Sequence, residues 1–136
     1  MSSPKYAPLL LSNTIGPASD GFVVAEWQDA GGPEGEKRLI APLHLHRHDD
    51  EIWYVLEGEL RVLVGDEEIA ARVGSAVLAP RRTPHTYWNP GPGRARYLLV
   101  MTSNIFSLIR EIHATEDRSP PKLRALFEKY DSELLG

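Results

Sequence analysis

The 136-residue chain contains no cysteine, which excludes disulfide bonds, thiolate metal ligands and a cysteine nucleophile. It also has no surplus of positive charge. Its 15 Lys and Arg stand against 19 Asp and Glu, and the net charge of −4 argues against nucleic acid as a partner. No apolar run approaches the roughly 20 residues that span a bilayer, and no basic segment with a long apolar core opens the chain. We therefore expect a cytoplasmic protein that has neither nucleic acid nor a membrane as its partner.

What the chain does contain is enough sequence for one domain with its own core. Its first 20 residues are rich in Ser, Pro, Gly and Asn, which predicts an irregular arm or an edge strand. Beyond them, short strands separated by Gly-centred turns predict an all-β antiparallel sandwich or barrel. Pro42 indicates an edge or a bulge in the second of these strands. The predicted strands are 22–27, 39–46, 51–56, 60–64, 67–72, 76–79, 85–88 and 96–102.

The pattern of the sequence changes after Ser103. Apolar residues then recur at helical spacing, at Ile105, Leu108, Ile109 and Ile112. A second helix is predicted to open at Ser119, its N-cap, with prolines in the first turn. The two helices either cover the mouth of the β structure or pack on a second subunit. The predicted organisation is an N-terminal arm, an antiparallel β-barrel and a C-terminal helical extension, over 1–20, 21–102 and 103–136.

Three side chains between positions 42 and 51 have the spacing of metal ligands. His44 and His46 are two residues apart, so both imidazoles lie on the same face of a strand, and Glu51 follows them closely. Imidazole and carboxylate together suit one divalent transition metal, which is iron, manganese, nickel, zinc or copper. His48 falls in the turn after the strand, so we expect it to be exposed and not to bind the metal.

Two segments of the chain resemble the two signature motifs of the cupin superfamily. The first is His-x-His-x4-Glu-x6-Gly over 44–58, and the second is Gly-x5-Pro-x-Arg-x2-His-x3-Asn over 74–89. The short spacing between them is similar to that of small bacterial single-domain cupins. Arg38 and Arg82 stand where the family usually has glycine. The resemblance implies a jelly-roll β-barrel, and it maps the family's metal ligands onto His44, His46, Glu51 and His85.

Strand alternation places further residues beside these ligands. Trp53 and Val55 share the parity of Glu51, and Tyr87 shares that of His85, so their side chains are expected to point inward. They either fill the core or line a substrate pocket for a flat, partly aromatic ligand. In the second case Tyr87 is a catalytic candidate together with Glu51, because its hydroxyl could donate a hydrogen bond or relay a proton.

The expected site combines strands that are far apart in the chain. One strand supplies His44 and His46, the next supplies Glu51, and His85 closes the site from the opposite sheet. Four protein ligands leave two positions of an octahedral metal for water, substrate or dioxygen, whereas a structural zinc site is closed. Arg96 begins a strand whose inward face the alternation does not identify. It is either solvated or, if it faces the substrate pocket, it favours an anionic substrate.

From this site we expect a metal-dependent enzyme that acts on a small organic molecule. The resemblance favours a dioxygenase-type oxidoreductase, similar to the quercetinase-like dioxygenases, with an aromatic or diketone-like substrate. Two alternatives stay open: a Lewis-acid isomerase or polyketide cyclase, and a non-catalytic small-molecule binding or sensor domain that contains the metal. Small cupins commonly pair, so a homodimer is also expected.

Overall fold

The computed structural model describes residues 14–16 and 21–136. Within these residues the chain forms ten strands and two helices. The strands are β1 (Thr14–Ile15), β2 (Phe22–Asp29), β3 (Leu39–His46), β4 (Glu51–Glu57), β5 (Glu59–Val64), β6 (Glu67–Arg72), β7 (Ala76–Ala79), β8 (His85–Trp88), β9 (Ala95–Thr102) and β10 (Ser132–Leu134). The helices, which lie between β9 and β10, are α1 (Ser103–Ala114) and α2 (Pro120–Lys129).

The strands form two antiparallel sheets of five strands each. One sheet has the order β1-β2-β9-β4-β7, and the other has the order β10-β3-β8-β5-β6. Consecutive strands such as β3 and β4 therefore lie in different sheets, which is the connectivity of a jelly roll. The two sheets stay separate and face each other, so the predicted barrel is a jelly-roll sandwich. The mostly-β fold class and the C-terminal helices are confirmed.

Alternation of apolar and polar residues explains how each sheet buries one face. On β9, Tyr97, Leu99 and Met101 are almost completely buried, while the residues between them are partly exposed. Val23 and Ala25 on β2 pack into the same core. Burial of a side chain of this kind contributes roughly 1.5–3 kcal/mol, so these inward faces hold the two sheets together.

The tight turns lie where the glycines predict them. Gly58, between β4 and β5, has φ +76°, and a Cβ there would collide with the carbonyl oxygen of Arg94. Arg82 has φ +67°, so this position does adopt the backbone conformation that favours glycine. The register between β3 and β8 shifts on both sides of Ala41, so Pro42 lies at a bulge, one of the two predicted alternatives. On the other side of β3, β10 pairs with residues 44–46 and does not extend to Pro42.

The end of the chain covers one end of the sandwich. The Thr102 side chain caps α1 by accepting a hydrogen bond from the backbone of Ile105. Ser119 is the N-cap residue of α2, as predicted, although its side chain makes no capping hydrogen bond. Leu108 of α1 packs on Phe127 of α2, and β10 then returns to pair with β3. Strand β10 was not predicted. Of the predicted N-terminal arm, only the edge strand β1 and Gly16 lie within the described residues.

Candidate metal centre

Four buried side chains meet between the two sheets. His44 and His46 extend from the same face of β3, and His85 extends from β8, where it is the direct cross-strand partner of His44. Glu51 reaches the cluster from β4 in the facing sheet. Each of the four is at most 7% exposed, and their candidate ligand atoms all lie within 4.8 Å of one another. The structure therefore brings together every residue that was predicted to bind metal.

The prediction of which sheet each ligand comes from was wrong. His85 was expected to close the site from the sheet opposite His44, but β8 is hydrogen-bonded to β3 in the same sheet. Glu51 is the ligand that crosses from the facing sheet. The reason is topological: in this jelly roll the turn after His46 carries the chain from one sheet to the other, whereas β8 comes back beside β3.

Two imidazole rings are fixed by backbone carbonyls. His44 Nδ1 donates to the Pro42 carbonyl oxygen at 2.6 Å, and His85 Nδ1 donates to the Thr83 carbonyl oxygen at 2.9 Å. A carbonyl oxygen can only accept, so each Nδ1 must carry the proton. In a neutral imidazole the other nitrogen, Nε2, then has no proton and carries a lone pair.

The third imidazole is fixed by a serine 86 residues further along the chain. His46 Nδ1 lies 2.7 Å from Ser132 Oγ, and that hydroxyl donates its own proton to the Tyr130 carbonyl oxygen at 3.1 Å. Because its proton is committed to Tyr130, Ser132 accepts from His46 Nδ1. His46 therefore has the same tautomer as the other two histidines. Hydrogen bonds of this kind orient metal-binding histidines and raise their basicity.

Because the three Nδ1 atoms carry the protons, the three Nε2 atoms point lone pairs toward one another and toward the Glu51 carboxylate. A cation at their centre would stabilise this arrangement. His85 Nε2 lies 3.1 Å from Glu51 Oε1, and His46 Nε2 lies 3.5 Å from the same oxygen. His46 Nε2 is buried and makes no hydrogen bond. Ligands at about 2.1 Å from a metal and at right angles to each other lie about 3 Å apart, which matches these distances. Three nitrogens and one carboxylate suit a transition metal, whereas Mg²⁺ and Ca²⁺ prefer oxygen ligands.

The protonation states of the cluster also suit a metal. Burial, together with the charges of His85 and His46, lowers the pKa of His44 to about 3. Burial alone would raise the pKa of Glu51, but its interactions with the adjacent His46 and His85 hold that pKa below the ordinary value. His44 therefore stays neutral and Glu51 stays ionised at neutral pH. These are the forms in which the two groups bind metal.

The cluster forms part of the wall of a cavity of about 260 Å³. Its other walls are mostly apolar, and Gln28 and His113 are their polar members. Helix α1 contributes Ile105, Leu108, Ile109 and Ile112, so the helices do cover the mouth of the β structure. The lining also includes five aromatic side chains, namely Trp27, Trp53, Tyr87, Tyr97 and Phe127. Among the residues that the structure describes, no Lys or Arg lines this cavity.

Comparison with known proteins agrees with this geometry. Residues 35–101 match the family model of the cupin domain, and this segment contains all four candidate ligands. The chain belongs to the cupin superfamily. The family assignment rests on a segment that includes β3 to β8 and most of β9.

Individual proteins resemble this chain over about half of its length. An uncharacterized protein of Methanocaldococcus jannaschii is 36% identical over 59 residues, which is 43% of this chain and 45% of that protein. The crystal structure of TT1209 from Thermus thermophilus is 30% identical, with a TM-score of 0.52 over 60% of this chain and 71% of that one. A sugar phosphate isomerase from Silicibacter pomeroyi is 24% identical, with a TM-score of 0.51 over 60% of this chain and 50% of that one. The chain thus spans about half the length of the first and the third.

Of the residues that were predicted to surround the metal, some line the cavity and others do not. Trp53 and Tyr87 line the cavity. Val55 is completely buried in the core and does not belong to the cavity wall. His48 is exposed and lies outside the cluster. Among the described residues, no helix is long and apolar enough to cross a membrane.

Arg96 does not face the cavity, so its prediction as a pocket residue was wrong. It lies on the outer face of β9, where its guanidinium pairs with Glu26 at 3.2 Å and with Glu57 at 3.3 Å. The inward positions of this strand belong to the residues of opposite parity, which include Tyr97. Alternation alone leaves the two faces of a strand equivalent, so it could not place Arg96.

Tyr97 and Ser132 are among the residues of the site that sequence reasoning missed. Tyr97 lines the cavity, and its hydroxyl is hydrogen-bonded to that of Tyr87 at 2.8 Å. Ser132 orients His46 from β10. The alternation on β9 contained Tyr97 as one of two possible inward sets. No signal near Ser132 pointed to it, because a three-residue strand after a helix leaves no periodic pattern.

Proposed function

We propose that this cupin is a metal-dependent oxidoreductase of the dioxygenase type, acting on a small, uncharged aromatic or diketone-like molecule. The observation that carries the proposal is the convergence of three Nε2 lone pairs and the Glu51 carboxylate at the wall of an apolar, aromatic-lined cavity. A redox-active transition metal held there by His44, His46, Glu51 and His85 would carry electrons from the bound substrate to dioxygen, so that both oxygen atoms enter the product and no external reductant is needed.

The protein's own residues perform three tasks in this proposal. The hydrogen bonds to the Nδ1 atoms hold the imidazoles in the ligating tautomer. Helix α1 and Phe127 cover the cavity with apolar side chains and keep water away. Trp53 and Tyr97 present flat faces that orient an aromatic or conjugated molecule against the metal-binding wall.

The lining of the cavity supports an uncharged substrate. A phosphate or carboxylate group is normally bound by Arg or Lys, and none lines the cavity among the described residues. Arg96, which was the candidate for such a role, is engaged on the outer face by Glu26. The likeness to the Silicibacter pomeroyi sugar phosphate isomerase is therefore a likeness of fold, because no Lys or Arg among the described residues of the lining could bind a phosphate.

Isomerisation or cyclisation on a Lewis-acidic metal is the second candidate, and it needs a protein base. Burial raises the pKa of Tyr87 and of Tyr97, so both stay protonated, and Glu51 is engaged by two histidines. His113, on the exposed end of α1, is the remaining titratable group of the lining, and its ring lies against that of Trp27 at 5.4 Å. Its position at the rim favours the first candidate, in which no protein base is required.

The decisive experiment is oxygen consumption by the iron(II)-loaded protein with flavonol, diketone and catechol-like compounds. We expect oxygen uptake with at least one of these classes. We also expect uptake to be lost in Glu51→Gln and kept in His48→Ala, which changes an exposed histidine outside the cluster. Conversion without oxygen uptake that disappears in His113→Ala would establish the second candidate instead. Ligands that bind and are never converted would show a non-catalytic binding or sensor domain and refute the proposal.

A further inference from the structure

Three hydrogen-bond donors lie side by side in the cavity wall near the metal cluster. Trp53 packs against His85, with ring centroids 5.6 Å apart, and against Tyr87 at 5.3 Å. Tyr87 in turn packs against Tyr97 at 5.6 Å, and their hydroxyls are 2.8 Å apart. All three side chains are at least nine-tenths buried and all three line the cavity.

The side chains of Trp53, Tyr87 and Tyr97 have more hydrogen-bond donors than they use in bonds with one another. Trp53 carries an indole N–H and the two tyrosines carry one O–H each, which makes three protons. The bond between Tyr87 and Tyr97 uses one of them, whichever hydroxyl donates. The indole N–H of Trp53 is buried and makes no hydrogen bond with any described residue. Two donors are therefore available to a ligand.

A buried donor without a partner is unfavourable, and a ligand that supplies an acceptor removes that penalty. The acceptor must be compact, because the cavity measures about 260 Å³. It must also be uncharged, since no Lys or Arg lines the cavity among the described residues. A carbonyl oxygen on an aromatic ring system meets both conditions, and it has two lone pairs for the two donors.

We propose that Trp53, Tyr87 and Tyr97 form a subsite that binds the carbonyl oxygen of a small aromatic ketone. This proposal rests on the proposed function only in that the substrate binds in the same cavity. It narrows the substrate class to molecules with a carbonyl oxygen on an aromatic ring system. It assigns Trp53 and the tyrosine pair to substrate selection and leaves the metal ligands to the reaction.

The test compares two planar ligands of the same shape, acetophenone and 2-phenylpropene, in which a methylene group replaces the carbonyl oxygen. Dissociation constants are measured without dioxygen on the metal-loaded protein, for the wild type and for Tyr97→Phe, Tyr87→Phe and the control Tyr54→Phe. Tyr54 is an exposed tyrosine on β4, outside the cavity. The variant that lacks the free hydroxyl is expected to weaken acetophenone binding about fivefold, which corresponds to one net hydrogen bond, with 2-phenylpropene binding unchanged. Which of the two variants this is identifies the tyrosine that donates to the ligand. Tyr54→Phe is expected to change the binding of neither ligand.

The indole proton of Trp53 gives a second, independent measurement. Its NMR resonance, assigned with Trp53→Phe, is expected to move downfield with acetophenone and not with 2-phenylpropene. Equal shifts with the two ligands would overturn the subsite and leave the indole N–H packed against the Tyr87 ring. The subsite would also be overturned if the ratio of the acetophenone and 2-phenylpropene dissociation constants were the same in the wild type and in both cavity variants. Absence of acetophenone binding would overturn it as well. None of these results depends on turnover, so failure of the oxygenase proposal would be recognised separately.

Discussion

Ser132 is not itself a candidate metal ligand, yet replacing it with alanine is expected to weaken transition-metal binding 10- to 100-fold. The hydroxyl accepts the Nδ1 proton of His46 and so keeps Nε2 of that ring as a lone pair. Without it, His46 can place its proton on either nitrogen and can rotate. Loss of such an orienting hydrogen bond typically costs 10- to 100-fold in metal affinity, which corresponds to about 1.4–2.7 kcal/mol.

The variant is suitable for this test because little else depends on the hydroxyl. The Tyr130 carbonyl oxygen, which loses the Ser132 proton, still accepts a hydrogen bond from Asn104 Nδ2 at 2.8 Å. Serine to alanine removes one atom from a completely buried position and leaves β10 paired with β3. We therefore expect the metal-free variant to fold and to lose about 1 kcal/mol of unfolding free energy.

The assay is competition for Zn²⁺ between the metal-free protein and a chromogenic chelator, combined with thermal unfolding of the same samples. Ser119→Ala is the matched control, because Ser119 is an exposed serine whose side chain makes no cap hydrogen bond to α2. Its Zn²⁺ affinity should equal that of the wild type. A folded Ser132→Ala protein that binds Zn²⁺ within twofold of the wild type would refute the reasoning about the His46 tautomer.

Three further perturbations test other parts of the molecule. Arg96→Met is expected to lower the thermal unfolding temperature more than Arg94→Met, because it leaves the buried Glu26 without its cation. Arg94 is the control because its ion pair with Glu57 is more exposed. Ligand binding is expected to stay unchanged in both variants. Metal occupancy, measured after dialysis across a pH series, is expected to be lost as the pH falls to about 3, because His44 then takes up a proton and an imidazole must be neutral to bind metal; full occupancy at pH 2 would contradict His44 as a ligand. Light scattering is expected to show a homodimer, with twice the chain mass of 15.2 kDa, and a monomer at all concentrations would contradict this.

The sequence was most informative where a pattern is local. The strands from β3 to β8 and the starts of both helices could be placed to within a residue or two, because alternation, helical spacing and Gly-centred turns act over a few residues. The ligand set was predictable for a related reason: His44, His46 and Glu51 are close in the chain, and the resemblance of a second motif supplied His85.

The sequence was least informative where a side chain depends on a distant element. Arg96 and Tyr97 are adjacent on β9, and only the packing of the two sheets decides which of them faces the cavity. Which of the two sheets contains His85 depends on the strand with which β8 pairs, and that strand is β3. Ser132 reaches His46 through a short final strand that follows α2 and pairs with β3. These contacts are set by the tertiary fold, which short-range pattern does not encode.

The central claim is that His44, His46, Glu51 and His85 together hold one transition metal. The most direct test is the metal content, measured by elemental analysis, of protein that is expressed in metal-replete medium and purified without chelator. We expect about one transition-metal ion per chain. Protein that is folded and contains no transition metal under these conditions would contradict the claim.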